Sequence, residues 1–504
     1  MKLPLFVEGF GAALLLLLFH VWPQLSHHHQ VLYHSFLPMQ SVVRGVVIDL
    51  LVVTLLASLL FWYLQKHELG WRNLVWALVA AVLLPILFSN AAFLLQVAFR
   101  PQYAQPLSYA VLFGSLSLRR WRLTGYLRAV RGLRLLLLLV GCSVVWMLPQ
   151  LIYQCLRAET TDVRVPVTRA GFAAGQEAPD EGRRIVWLLF DELSYDQAFE
   201  HRFPGLSLPA LDRFKSESIS FSDLQPAGDD TERVLPSFFL GHVISNLRSN
   251  LDGWPSIRFA GESSWQRFDP QATLFADAQR LGWTTGLVGW YNPYCRILAG
   301  TLDYCFWRPG NGQWYGTSPD KSAFENAMVP VTNQLREWAN RPDFAQEEKH
   351  ASDLAALMPQ AEALILNQRV SFVFIHLSVP HPPGIYDRKT SRLSNRGTYI
   401  DNLALADRSL AELMGTIDAT SMAGKTTVIV CSDHSWRLSL WRPTPQWTQE
   451  EEVASRGRFD PRPVLMIHLP GERTERDIKG PFDDIRLHDI IESMLHGQGP
   501  DLLP

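Results

Sequence analysis

Up to Tyr153 the chain contains long apolar runs with almost no charge, and that pattern leaves few ways to fold. Residues 3–19 carry one acid, Glu8. Residues 45–65 carry only Asp49. Residues 73–99 carry no charge, and neither do residues 135–153, LLLLLVGCSVVWMLPQLIY. Each run is close to the roughly 20 residues a helix needs to cross about 30 Å of hydrocarbon. Residues 103–118 (YAQPLSYAVLFGSLSL) form a weaker fifth candidate. A cleavable signal peptide explains the first run poorly, because no clear small-residue cleavage site follows it and further spans do.

Arginine placement orients these spans. Arg119, Arg120, Arg122, Arg128, Arg131 and Arg134 lie between the weak segment and the last run, with no acid among them. Such clusters stay cytoplasmic. The last span then runs outward, and everything after it lies outside the cytoplasm. With five spans, Lys2, Lys66 and Arg72 also fall inside. The expected organisation is a transmembrane domain of about five helices over 1–156, a polar linker over 157–184 and an extracytoplasmic domain over 185–504. A net charge of −3 gives no pull toward nucleic acid, and 47 % hydrophobic residues exclude a disordered chain. Cys295 and Cys305 fall in the outer domain, where an oxidising compartment permits a disulfide, while Cys431 sits in an apolar run as a buried thiol.

The outer domain alternates apolar strands with amphipathic helices. IVWLLFD (185–191), SFVFIHLS (371–378), TTVIVCSDH (426–434) and RPVLMIHLP (462–470) read as strands, and 271–282, 352–368, 398–417 and 483–495 as helices. Strands apolar almost throughout belong to a sheet covered on both faces. In open α/β sheets ligands bind at the carboxyl ends of the strands, and polar residues cluster there. Asp191 and Glu192 end the first strand, and Asp433 and His434 the third. His376 lies in the second, His381 just after it, and AGDDTERVLPSFFLG (227–241) reads as a loop entering a helix at Thr231.

Each of these residues has an ordinary structural use. Asp191 or Thr231 serves as a helix cap, Asp433 and His434 as a buried ion pair, His376 as a satisfied core histidine. Taken together, two carboxylates, an imidazole and a hydroxyl at separate strand openings are the ligands a hard or borderline divalent cation takes. Coordination lowers the pKa of a hydroxyl and makes it a nucleophile. A helix N-terminus behind Thr231 adds positive potential for a phosphate oxygen.

The order of these elements is Asp at a first strand end, Thr before a Pro-Ser helix start, His-x-Pro, then Ser-Asp-His. It resembles the sulfatase and alkaline-phosphatase superfamily. Within it the chain is most similar to the membrane-anchored branch: lipoteichoic-acid synthases, lipid A phosphoethanolamine transferases and periplasmic glucan phosphoglycerol transferases. The resemblance implies an α/β fold in which transmembrane helices precede an extracytoplasmic alkaline-phosphatase-like domain, its central mixed sheet covered by helices on both faces. It implies that Asp191 (or Glu192, one position on), Thr231, Asp433 and His434 hold one divalent metal ion, Mn²⁺ or Zn²⁺. Thr231 is the implied nucleophile and His381 the implied substrate contact or proton donor, with His376 and Arg437 as further substrate-side candidates.

Three features depart from the pattern. Val234 stands where true sulfatases carry the Cys or Ser that is oxidised to formylglycine. Ser435 replaces the usual Gly after Asp-His, and no His lies between Ser435 and Ile467 to complete a second metal site. The implied reaction moves a phospholipid headgroup, phosphoglycerol or phosphoethanolamine, through a phosphothreonine to a glycan or lipid hydroxyl. The implied setting is the bacterial plasma (inner) membrane, spanned several times, with no nucleic-acid partner. A phosphodiester hydrolase with the same site, and an inactive scaffold that keeps the fold, are the alternatives.

Overall fold

The computed structural model describes residues 3–26, 29, 33–34, 39–66, 69–94, 104–157, 182–250, 254–310, 345–444 and 446–498. They group into two compact units: the N-terminal helices together with Ser249 and Asn250, and the remaining residues from Gly182 on. Most of the linker expected at 157–184 lies outside the described residues.

The N-terminal unit consists of the helices Leu3–Ser26, Met39–Lys66, Leu69–Leu94, Ala104–Trp121, Leu123–Gly141 and Val144–Arg157. Among the described residues three stretches are long and apolar enough to cross a membrane: Val43–Lys66, Trp71–Phe88 and Leu123–Leu156. The first run gives a shorter apolar stretch, Leu3–Leu18. The weak candidate at 103–118 forms the helix Ala104–Trp121, which is not among the three. The arginine-rich segment is itself helical, interrupted only at Arg122. The helix Met39–Lys66 turns Leu51, Val52, Leu55, Leu56, Leu59 and Leu60 outward, an apolar face larger than water-soluble monomers leave uncovered.

Inside this unit two helices approach closely through glycine. A Cβ on Gly11 would overlap the Leu137 carbonyl, and one on Gly141 the Val7 carbonyl. Across the same contact Glu8, buried, accepts two hydrogen bonds from Arg134, at 2.8 and 3.0 Å. The bidentate guanidinium is what makes the buried acid tolerable.

The second unit is built on an eight-stranded mixed sheet. Its strands are β1 (Arg184–Phe190), β2 (Ile219–Phe221), β7 (Thr285–Trp290), β8 (Tyr304–Arg308), β9 (Phe372–Leu377), β12 (Thr426–Cys431), β13 (Leu465–His468) and β14 (Arg476–Ile478). Three small sheets pair β3 (Leu224–Gln225) with β15 (Phe482–Asp483), β10 (Gly384–Asp387) with β11 (Arg392–Gly397), and β4 (Ile244–Ser249) with β5 (Pro255–Phe259) and β6 (Gln266–Arg267). The main sheet runs β14-β2-β13-β12-β1-β9-β7-β8. β12, β1, β9, β7 and β8 are parallel, and β13 is antiparallel to both its neighbours.

The apolar runs at 185–191, 371–378, 426–434 and 462–470 become β1, β9, β12 and β13. β1 is buried along its whole length because both its faces are covered. On one face Val186, Leu188 and Phe190 pack with Leu357, Leu364, Leu403 and Leu410 of the helices Ala345–Leu366 and Tyr399–Asp418. On the other, Trp187 meets Phe238 and Phe239 of the helix Thr231–Leu240. Cys295 and Cys305 form a disulfide with Cα atoms 5.6 Å apart, and Cys431 is a buried free thiol. The parallel strands direct their carboxyl ends to one edge, and the polar residues converge there.

Candidate active site

Asp191 directly follows β1, and Asp433 and His434 lie just beyond β12. These strands are hydrogen-bonded neighbours in parallel register, Leu189 opposite Cys431, so residues leaving their ends emerge side by side. The Asp191 N–H donates to Leu377 O of β9 at 3.2 Å, which ties the exit of β1 to the next strand.

The helix Thr231–Leu240 brings the hydroxyl. Its N-cap is Asp230, whose side chain accepts from the Arg233 N–H at 2.9 Å. Thr231 is therefore the first helical residue, and its hydroxyl is not spent on capping. It donates to Asp433 Oδ2 at 2.7 Å, and lies 3.4 Å from Asp191 Oδ2 and 3.3 Å from His434 Nε2. All four residues are buried.

Asp191, Asp433 and His434 each offer a ligand atom within 4.8 Å of the others. Asp191 Oδ1 is buried and has no hydrogen-bond partner. A buried carboxylate oxygen without a donor is costly, and a cation among these three residues would remove that cost. His434 Nδ1 sits 3.1 Å from Ser435 O. An Nδ1–H donated there leaves the Nε2 lone pair facing the cluster, the tautomer a metal ligand needs. The residues present thus fit a divalent metal ion.

Electrostatics point the same way. Burial, reinforced by the charges of Asp433 and Glu192, holds the Asp191 carboxyl well above the usual carboxylate range. Burial also pushes Asp433 upward, but His434 and His376 outweigh it and keep its pKa low. One of the two neighbouring carboxylates therefore carries the proton when no cation is between them.

The remaining candidates fall into supporting places. Glu192 has a left-handed backbone (φ 63°), rare for a residue with a side chain and concentrated at functional sites. Its carboxylate accepts from Arg437 Nε at 2.5 Å and from Trp441 Nε1 at 2.9 Å, away from the ligand cluster. Of the two adjacent acids, the structure brings Asp191, not Glu192, to the metal-fitting position. His376 lies behind Asp191, with Nε2 3.3 Å from Asp191 Oδ2 and Nδ1 2.6 Å from the Tyr294 hydroxyl. Burial lowers its pKa to about 4, so it is a neutral core imidazole that orients Asp191.

His381 packs edge-on against Trp290 and Trp441, ring centroids 5.1 Å from each. Its Nε2 is 3.2 Å from Arg437 Nη2, an obligatory donor, so the ring proton belongs on Nδ1. Nδ1 is buried with no partner. Burial, then Arg437, His350 and His434, hold its pKa well below 6.5.

One pair was not read from the sequence. Asn292, fully buried just beyond β7, donates from Nδ2 to Thr231 O at 3.0 Å, and Tyr291 beside it has φ 72°. The signal was present, since YNPYC closes a strand as Asp191 and Glu192 close β1. The strand TGLVGW is broken by Gly286 and Gly289, which hides its apolar pattern.

The sulfatase family model matches residues 183–455, which include every residue of this site. No curated protein sequence matches the chain. Solved structures similar to it include the lipoteichoic acid synthase LtaP from Listeria monocytogenes, 13 % identical, with 67 % of this chain and 77 % of that one covered and a TM-score of 0.38. A phosphonate monoester hydrolase of Agrobacterium radiobacter is 12 % identical over 64 % of this chain and 79 % of that one, TM-score 0.35. The PsFucS1 sulfatase from Pseudoalteromonas sp. is 13 % identical over 64 % and 69 %, TM-score 0.41.

Proposed function

The chain belongs to the sulfatase family, and from that premise we propose that it is a metal-dependent phospho-group transferase of the plasma membrane, its catalytic domain on the extracytoplasmic side. Its donor is a phospholipid with a phosphoglycerol or phosphoethanolamine headgroup, and its acceptor a glycan or lipid hydroxyl. The observation that carries the reading is the Thr231 hydroxyl, free of capping duty and within 3.4 Å of Asp191, Asp433 and His434. Val234, one helical turn further on, is buried and offers neither sulfur nor hydroxyl for conversion to an aldehyde, so the formylglycine route to sulfate-ester hydrolysis is closed to this chain.

Asp191, Asp433, His434 and the Thr231 oxygen are the groups that would hold the metal. When bound, a divalent cation lowers the pKa of the Thr231 hydroxyl and neutralises charge building on the phosphoryl group. Thr231 Oγ1 attacks phosphorus, the Thr231 O–P bond forms, and the bond to the diacylglycerol oxygen breaks. The proton released by Thr231 balances the one the departing alkoxide takes up. The acceptor hydroxyl then attacks the phosphothreonine and returns Thr231. Arg437, held by Glu192 through Nε, makes no hydrogen bond through Nη1 among the described residues, which suits it to a phosphoryl oxygen. His381, its pKa held well below 6.5, is a neutral imidazole at pH 7, suited to contacting the substrate rather than to acting as an imidazolium acid.

The test is peptide mass spectrometry around Thr231 after the detergent-purified full chain is incubated with Mn²⁺ or Zn²⁺ and mixed phosphatidylglycerol and phosphatidylethanolamine. A headgroup-phosphate adduct on Thr231, absent from Thr231→Ala, is expected, and its mass names the donor. Release of free headgroup phosphate without an acceptor would reassign the chain as a hydrolase. Absence of both metal binding and lipid turnover would leave a scaffold.

A further inference from the structure

The small sheet of β4, β5 and β6 contributes nothing to the site above, yet one face of it has an unusual composition. Side chains alternate along a strand, and Ser256 pairs with Arg267 and Ile257 with Gln266. Trp254, Ser256, Arg258, Trp265 and Arg267 therefore share one face; Trp254 and Ser256 are buried at its base, Arg258 and Trp265 are half-buried, and Arg267 is exposed, while Pro255, Ile257 and Phe268 of the opposite face are buried. Arg258 lies over the Trp265 ring at 5.3 Å, and Arg248 of β4 lies over the same ring at 4.1 Å. Arg267 lies over Trp254 at 5.3 Å.

Two guanidinium groups thus converge on one indole. Neither Arg248 nor Arg258 enters an ion pair among the described residues. Some other arginines of this unit are matched to acids, Arg202 to Asp212, Arg442 to Glu452, and Arg462 to Glu200 and Asp460. Like charges gathered without a counter-ion are unfavourable unless an anion is supplied. Stacking on Trp265 holds the Arg248 and Arg258 guanidinium planes and leaves their N–H edges available for phosphate oxygens. Tryptophan beside arginine is also the side-chain chemistry of the headgroup layer, apolar on one side and wet on the other.

We propose that this arginine–tryptophan face docks on anionic phospholipid headgroups of the membrane in which the chain is anchored. The proposal is independent of the reaction at Thr231 and stands whether that site transfers or hydrolyses.

The experiment is hydrogen exchange by mass spectrometry on the full chain in nanodiscs of pure phosphatidylcholine and of phosphatidylcholine with one-third phosphatidylglycerol. At low salt, the segment 244–268 is expected to exchange more slowly in the anionic discs, by roughly five-fold for each engaged arginine. High salt removes the difference by screening. The variant Arg248→Gln, Arg258→Gln, Arg267→Gln loses it too, while exchange of β12 stays the same and reports an intact fold. Equal exchange of the wild-type segment in both discs overturns the proposal, whatever the variant does. Slowing in neutral discs only on addition of a soluble phosphoglycerol-substituted glucan would also overturn it, assigning the face to an anionic glycan instead.

Discussion

Asp191 and Asp433 are neighbouring, fully buried carboxylates, and one proton or one cation has to sit between them. Burial and the charges of Asp433 and Glu192 raise the Asp191 pKa, so metal binding must displace its proton. Calorimetry in buffers of different ionisation enthalpy is expected to show about one proton released per metal bound, with affinity rising up to about tenfold per pH unit below the Asp191 pKa. Asp191→Asn, with no proton to displace, loses both the release and most of the affinity. The same shift sets the sign for stability. The folded metal-free protein holds this proton more tightly than the unfolded chain, whose Asp titrates near about 3.9. Metal-free stability attributable to Asp191 is therefore full at low pH and falls as pH rises through the raised value. Thermal unfolding in chelator should show that fall, and saturating metal at pH 8 should reverse it, by about 2.7 kcal/mol at a hundred times the dissociation constant. Sequence reading named Asp191, Asp433 and His434 by their places at strand ends and Thr231 by its place at a helix start, and the structure brings these four side chains together. It did not separate Asp191 from Glu192, because adjacent residues at a strand terminus differ only in direction, and direction comes from the left-handed turn at Glu192.

Among the elements, the contact between the helices Leu3–Ser26 and Leu123–Gly141 is the most sharply constrained. The space at Gly11 is already occupied by the Leu137 carbonyl, a backbone group that cannot rotate away. Gly11→Val is expected to destabilise the helical unit by about 1–3 kcal/mol, read as a lower melting temperature in detergent. Gly45→Ala, where a Cβ meets nothing within 4 Å, should leave it unchanged. The apolar run 3–19 announced the first of these helices, whereas the run 135–153 falls across the end of Leu123–Gly141 and the separate helix Val144–Arg157; the pairing was not legible, since glycine spacing shows which helix face is thin and not which partner fills it. The strands divide in the same way. β1, β9 and β12 were readable because both faces are covered and apolar residues dominate each strand, Arg184, His376, Thr426 and Thr427 being the polar ones. The polar arginine–tryptophan strands β4, β5 and β6 gave no such pattern.

For the whole molecule, the proposed extracytoplasmic placement of the second unit rests on the arginines from Arg119 to Arg134, and the disulfide between Cys295 and Cys305 is what an oxidising compartment permits. A membrane-impermeant maleimide is expected to label Ser263→Cys in intact cells, with the periplasm opened where there is an outer membrane, and Thr124→Cys only after the plasma membrane is permeabilised. The reverse labelling would overturn the proposed topology and with it the proposed extracytoplasmic acceptors. Replacing Cys295 and Cys305 by Ser should cost about 2–3 kcal/mol of stability in the outer unit, the loop they close being short, without moving the maleimide pattern.

The sequence by itself determined what can be encoded locally: which runs are apolar enough for lipid, which strands have both faces buried, and which polar residues stand at strand ends. These follow from hydrophobic periodicity and charge, properties of neighbours along the chain. Only the tertiary structure decided that Asp230 and not Thr231 caps the helix, that Glu192 turns away to Arg437, that Asn292 grips the Thr231 carbonyl and that three arginines stack on two tryptophans. Each depends on where a side chain meets residues distant in sequence, and that is settled by register, turn geometry and packing across the whole unit.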